Sequence, residues 1–228
     1  GLLAAASAAA QQSPTLTVYT YDSFVTDYGL GPVIEERFEA VCGCDLDLVA
    51  AGEGTELLSR LRLEGARSEA DIVLGLDTNL IAAAKETGLF APHRIEPPED
   101  LAVPGGWSDP TFLPYDWGWF AFVHDETRLP DPPTSFDALR EAPEEVTIVI
   151  QDPRTSTPGL GLLLWVKRVY GDEAPEVWAD LAPRIVTVTR GWWEAYSAFL
   201  EGEAAMALSY TTSPAYHAVV EGDETKAA

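Results

Sequence analysis

The chain has 228 residues, 46% of them hydrophobic and 22% charged, enough for two globular lobes of about 100 residues each, and no segment is long and apolar enough to cross a membrane as a helix. Fourteen basic residues against thirty-seven acidic ones leave a net charge of −23. Such a surface repels nucleic acid and anionic lipid, and suits either plain solubility or attraction of a cationic ligand.

The chain opens with GLLAAASAAAQQSP, residues 1–14, which reads as the end of a secretory signal with cleavage near Ala10, or as a disordered Ala-rich tail. LTVYTYD (16–22) alternates apolar and polar residues and predicts a strand ending at Asp22-Ser23. In VIEERFEAVCG, Val33, Ile34, Phe38 and Val41 fall at helical spacing, with Pro32 before them and Gly43 behind. The two cysteines, Cys42 and Cys44, suit neither a zinc site nor a redox C-x-x-C. They form either a disulfide across one residue or two free thiols. DLDLVAA (45–51) is a second strand, and GEGTELLSRLRLEG a helix behind a Gly-rich turn. ADIVLGLD (70–77) is a nearly all-apolar strand of the buried parallel type, after which Asp77 is expected to cap the helix NLIAAAKETGLF. Strand and helix alternate as in a doubly wound α/β lobe, whose ligands bind at the carboxyl ends of the strands. That points to Tyr21-Asp22-Ser23, Gly52-Glu53-Gly54-Thr55 and Gly75-Leu76-Asp77.

Residues 92–114 are rich in Pro and Gly and read as a connector to the strand-like YDWGWFAFVHD (115–125). A second lobe follows: helix DALREAP, strand VTIVIQD (146–152), helices TPGLGLLLWVKRVYG and APEVWADLAP, strand RIVTVTRG (184–191), helix WWEAYSAFLEGE, strand AMALSYT, and a helix SPAYHAVVEG started by Ser213 with Pro214 at its first position.

Two features carry chemistry. At PRTSTPGLG a strand runs into a helix start, where unpaired N–H groups and the positive end of the dipole make an anion site. Thr155, Ser156 and Thr157 add hydroxyl donors, Gly159 and Gly161 allow close approach, and Arg154 brings charge. An ordinary helix cap would use only one of those hydroxyls. The second feature is aromatic: Tyr21, Tyr28, Trp192, Trp193, Tyr196, Tyr210 and Tyr216 sit at predicted element ends in both halves, as stacking on a flat heterocycle or a delocalised cation requires. The three histidines, His93, His124 and His217, are scattered and form no metal motif, and no G-x-S-x-G, G-x-x-x-x-G-K-[ST], H-E-x-x-H or G-x-G-x-x-G occurs. The pattern favours binding over turnover, with no catalytic residue and no metal.

The blocks LTVYTYDSF, ADIVLGLD, VPGGW, QDPRTSTPGLGLLLW, VYGD-x-AP, TVT-x-GW-x-EAY and LSYTTSPAYH, in this order from Leu16 to His217, resemble the periplasmic thiamine-binding proteins of bacterial ABC transporters. The resemblance implies an α/β fold of the two-lobed type II periplasmic-binding-protein architecture, with doubly wound sheets and an interlobe cleft. Residues 1–14 would be leader or tail, 15–115 the first lobe and 116–228 the second. It further implies an exported, periplasmic, monomeric receptor without cofactor, which binds thiamine, thiamine monophosphate or thiamine diphosphate and delivers it to an inner-membrane ABC permease. Tyr21, Tyr28, Trp192, Tyr210 and Tyr216 would surround the two rings, Tyr28 standing where relatives often carry Trp. Asp22, and Glu53 with Gly54, would lie near the cationic ring, and Thr155, Ser156 and Thr157 on the phosphate side. Members of this family continue beyond the SYTTSPAY block. A chain ending at Ala228 is expected to leave apolar surface of the first lobe uncovered and one ligand wall missing. A receptor of the same fold for ferric ion, a polyamine or a small anion is the alternative, although the adjacent tyrosines typical of iron receptors are missing. A thiamine-processing enzyme is a further one, with Cys42 and Cys44 as the only candidate thiols.

Overall fold

A computed structural model describes residues 13–96 and 102–228; the expected leader lies outside the described residues but for Ser13 and Pro14. Strand β1 (Thr15–Thr20) is central in a three-stranded parallel sheet, flanked by β2 (Asp45–Ala50) and β3 (Ile72–Val73). Parallel neighbours need crossovers, and α1 (Gly31–Cys42) and α2 (Gly54–Glu64) supply them. Gly43 ends α1 in the left-handed region, φ 64°, donating its N–H to the Glu39 carbonyl, a conformation that favours glycine. α2 starts with a capping box: the Glu53 side chain accepts from the Glu56 backbone and the Glu56 carboxylate from the Glu53 N–H. Tyr19 of β1 packs on Leu57 and Leu61, while Leu58 packs on Leu80 and Ala84 of α3 (Ile81–Lys85).

Two local expectations are corrected in this lobe, and one that was left open is decided. The strand foreseen over 70–77 contracts to two residues, flanked by single bonds from Asp71 N–H to Thr17 and Leu74 N–H to Tyr19; it cannot continue past Gly75, which turns out of the sheet at φ 109°. Asp77 does not cap a long helix. Its carboxylate accepts from the Asn79 N–H and its carbonyl from Leu80, so a turn fills the space and α3 begins only at Ile81. Cys42 and Cys44, whose Cα atoms are 5.2 Å apart, are joined as a disulfide, so the chain keeps no free thiol for covalent catalysis. The outer face of α1 bears Leu30, Val33, Ile34, Phe38 and Val41 exposed.

The second sheet holds β4 (Phe120–His124), β5 (Ile148–Gln151), β6 (Ile185–Thr189) and β7 (Met206–Tyr210) in the order β4-β7-β5-β6. β5, β6 and β7 are parallel, but β4 runs antiparallel to β7, from Phe120 opposite Tyr210 to His124 opposite Met206, which the doubly wound expectation did not include. Helices cover both faces. Leu162 and Val166 of α5 (Thr157–Tyr170) and Val177 and Leu181 of α6 (Ala174–Leu181) pack with α4 (Phe136–Glu141) on Ile148, Ile150 and Leu208. Ala195, Tyr196 and Phe199 of α7 (Trp192–Leu200) pack on Val149 and Ala207 from the other side. Phe199 has no solvent exposure, and its truncation to Ala would cost about 3–5 kcal/mol. A side chain at Gly161 would collide with the Phe120 ring, so this glycine sets how closely α5 lies on β4.

The last predicted helix is shorter than expected: α8 (Ser213–Tyr216) passes into a π-helical turn, His217–Glu221, stopped by Gly222 at φ 71°. Thr212, not Ser213, is its cap residue, placing Pro214 one position later. The Ser213 hydroxyl is instead engaged with Ser209, 2.8 Å away.

Candidate functional site

Carboxyl ends of strands from both sheets face one another. From the first come the short 3-10 turn Asp22–Val25 after β1 and the Glu53 turn after β2; from the second, Arg190 and Gly191 after β6 and the start of α7. The Asp22 carboxylate accepts the Gly52 N–H at 2.9 Å, tying the first two loops together. Between the sheets lies a cavity of about 210 Å³, walled by Asp22, Ser23, Thr26, Tyr28 and Glu53 on one side and Arg190, Gly191, Trp193 and Glu194 on the other.

Side-chain pairs and close backbone approaches cross this junction. Tyr28 stacks on Trp193 with centroids 4.6 Å apart. Arg190 donates two hydrogen bonds to Glu56, of 2.8 and 2.7 Å. The Thr157 hydroxyl donates to the Asp77 carboxylate at 2.8 Å. Glycine allows the closest approaches: a Cβ on Gly54 would lie 2.9 Å from the Thr157 hydroxyl, and one on Gly191 3.0 Å from the Glu53 carboxylate.

The electrostatics are acidic. Burial, and then the charges of Asp22, Glu194 and Glu56, push the Glu53 carboxyl up to about 7 against the opposing pull of Arg190. Burial also raises Tyr21 and Tyr210. Carboxylates outnumber the single arginine here, and together with the aromatic faces they offer charge and flat surface complementary to a flat cation.

The residues expected from sequence divide into three groups. Asp22, Tyr28 and Glu53 line the cavity. Tyr21 and Tyr210 lie beside it: the Tyr21 hydroxyl touches that of Tyr115, its ring lies against Gly75, and Tyr210 sits within the field of Glu53, Asp77 and Tyr21. Trp192 and Tyr216 belong to a more remote aromatic set, Trp192 stacked on Tyr196 at 4.8 Å and Tyr216 edge-on to His217 and 43% exposed.

The helix start differs from the expected row of spare donors. Thr155 gives its proton to the Arg190 carbonyl at 2.6 Å and Thr157 gives its own to Asp77. Arg154 is engaged with Asp152. Only Ser156 keeps a free hydroxyl, fully buried and without a partner.

Sequence reasoning missed Arg190, Glu194 and Glu56, and named Trp193 only as one aromatic among several. A lone arginine after a strand in so acidic a chain was the one available signal. Among the described residues no group of three or more His, Cys, Asp or Glu is arranged to hold a metal ion.

Residues 68–217 match the family described as bacterial extracellular solute-binding proteins. The chain is 54% identical to the thiamine-binding periplasmic protein of Escherichia coli over 215 residues, 94% of this chain and 65% of that protein. It is likewise 54% identical to that of Salmonella typhimurium over 227 residues, 100% of this chain and 69% of the relative. A solved periplasmic thiamin binding protein superposes with a TM-score of 0.91 at 54% identity, covering all of this chain and 70% of its own. The chain thus spans about two thirds of the length of the curated relatives it matches.

Proposed function

The chain belongs to the bacterial extracellular solute-binding protein family, among its thiamine-binding periplasmic members, and from that premise we propose that it is a periplasmic receptor which closes its lobes on thiamine or a thiamine phosphate and presents it to an ABC permease. The observation that carries this reading is Glu53: a half-buried carboxylate where the two sheets meet, flanked by Asp22 and Glu194 and beside the Tyr28–Trp193 stack. A thiazolium supplies both the positive charge those carboxylates lack and the flat faces the aromatics match.

In this reading residues 15–115 and 116–228 move as two lobes. Tyr28 and Trp193 are in direct contact, so a ring can enter between them only after the lobes part, and the ligand then selects a closed state. Tyr21, Tyr210, Trp192 and Tyr216 frame the remaining ring surface. Gly54 keeps the backbone turn low enough for approach. Ser156, whose hydroxyl has no partner, donates to the phosphate at the start of α5, where the helix dipole adds attraction. Thr155 is held by the Arg190 carbonyl within its own lobe, and Thr157, which donates to Asp77 across the junction, is free to turn to a ligand only when the lobes part. The receptor acts as a monomer, binds no nucleic acid and carries no cofactor; it performs no chemistry on its cargo.

Calorimetric titration with thiamine, its monophosphate, its diphosphate and ferric citrate tests the proposal. Saturable one-to-one binding of a thiamine form, with the vitamin recovered intact by mass spectrometry, is expected. Absence of heat and of thermal shift with all three thiamine forms up to about 1 mM, the range of very weak binding, would overturn it.

A further inference from the structure

Trp192 and Tyr196 stand one helical turn apart on α7, and Ser213 and His217 one turn apart on α8 and the π turn behind it. The four side chains interlock. The Trp192 indole N–H donates to the Ser209 hydroxyl at 2.8 Å, and Ser209 meets Ser213 at 2.8 Å. The Tyr196 oxygen lies 2.8 Å from His217 Nε2, and His217 Nδ1 lies 2.8 Å from the Glu221 carboxylate, which also takes Lys226. Ring stacking follows the same path, Trp192 on Tyr196 and Tyr196 on His217. Ser209, Ser213, Tyr196 and His217 are all buried.

The ends of this chain dictate its direction. Glu221, kept ionised by Lys226 and His217, can only accept, so His217 Nδ1 carries a proton toward it. Burial raises Tyr196 to about 12, so its proton is present to be given. At the other end the indole, a donor only, gives its proton to Ser209.

We propose that Tyr196 and His217 are positioning residues: their hydrogen bond fixes the ring on which Trp192 stacks, while Ser213, one turn before His217, holds Ser209 against the indole N–H, and together these contacts lock the Trp192 ring in the orientation the ligand meets. This rests on the reading of Trp192 as part of the ligand wall. The ring, fixed before the ligand arrives, loses little rotamer freedom on binding.

The test is hydrogen exchange of the Trp192 indole N–H in the ligand-free protein, its resonance identified by its loss in Trp192→Phe, together with thiamine affinity. His217→Phe keeps the stacked ring but can neither accept nor donate; Tyr196→Phe breaks the chain one step earlier and serves if the first variant fails to fold. Both are expected to speed indole exchange at least tenfold and to weaken thiamine binding about tenfold, the scale of one net hydrogen bond. His217→Gln, whose amide can accept from Tyr196 and donate to Glu221, is expected to restore both to within about twofold. Val177→Ala, in the opposite core of the same lobe, is expected to lower stability and change neither. Wild-type exchange and affinity in His217→Phe and Tyr196→Phe, or faster exchange without loss of affinity, would overturn the proposal. Failure of the wild-type protein to bind thiamine would overturn the receptor reading instead, leaving the exchange result to decide whether the chain orders Trp192.

Discussion

Arg190, at the carboxyl end of β6, grips Glu56, in the first turn of α2, through two hydrogen bonds of 2.8 and 2.7 Å, although 134 residues separate them in the chain. The pair joins the lobes directly over the cavity. Glu56 also closes the capping box of α2, so the latch is rigid on the first lobe's side. On the other side the arginine is 61% exposed, which limits the contribution of the ion pair to about 1 kcal/mol or less.

Arg190→Gln is therefore expected to open the ligand-free protein without unfolding it. Small-angle scattering should give a larger radius of gyration, and thiamine affinity should fall by about two- to fivefold, the equivalent of that energy. Raising the salt concentration should shift the wild-type protein the same way. Unchanged scattering and unchanged affinity together would show that the latch does not influence closure.

Glu53 makes stability and binding depend on pH in opposite senses. It titrates at 4.5 when unperturbed and about 7 in the folded protein, so between those values the folded state holds the extra proton. The stability associated with it is fully present below pH 4.5 and is lost as pH rises through 7. The full shift corresponds to roughly 3 kcal/mol, and Glu53→Gln should flatten the ligand-free stability profile over this window. A cationic ring restores the carboxylate and expels the proton. Titrations near pH 6 in buffers of different ionisation enthalpy should accordingly register proton release on thiamine binding, with affinity rising toward pH 8. Binding without proton release would remove Glu53 from contact with the cation.

Ser156 offers a test with two signs. Its buried hydroxyl has no partner, and an unsatisfied buried polar group costs about 1–3 kcal/mol. Ser156→Ala should raise the melting temperature of the ligand-free protein while weakening thiamine monophosphate by about 1–2 kcal/mol, leaving unphosphorylated thiamine nearly unchanged. Equal losses for both ligands would place the phosphate elsewhere.

Much of this molecule was written in short stretches of sequence. The alternation in LTVYTYD, the left-handed stop at Gly43, the Gly-rich turn before α2 and the Pro158 start of α5 each depend on residues within a few positions of one another, and each formed where the local pattern predicts. Asp22, Tyr28 and Glu53 were legible because strand ends in an α/β lobe are where side chains escape the core. Tertiary structure decided the rest. Whether Thr157 offers a proton depends on Asp77, eighty positions away; whether Arg190 is a surface charge or a latch depends on Glu56; and the antiparallel direction of β4 is set by its pairing with β7, more than eighty residues ahead. Sequence determines what each segment can do, since propensity and periodicity act between neighbours. Which donors are spent and which remain for a ligand is settled only when the sheets bring distant side chains within about 3 Å, the range at which a hydrogen bond commits its proton.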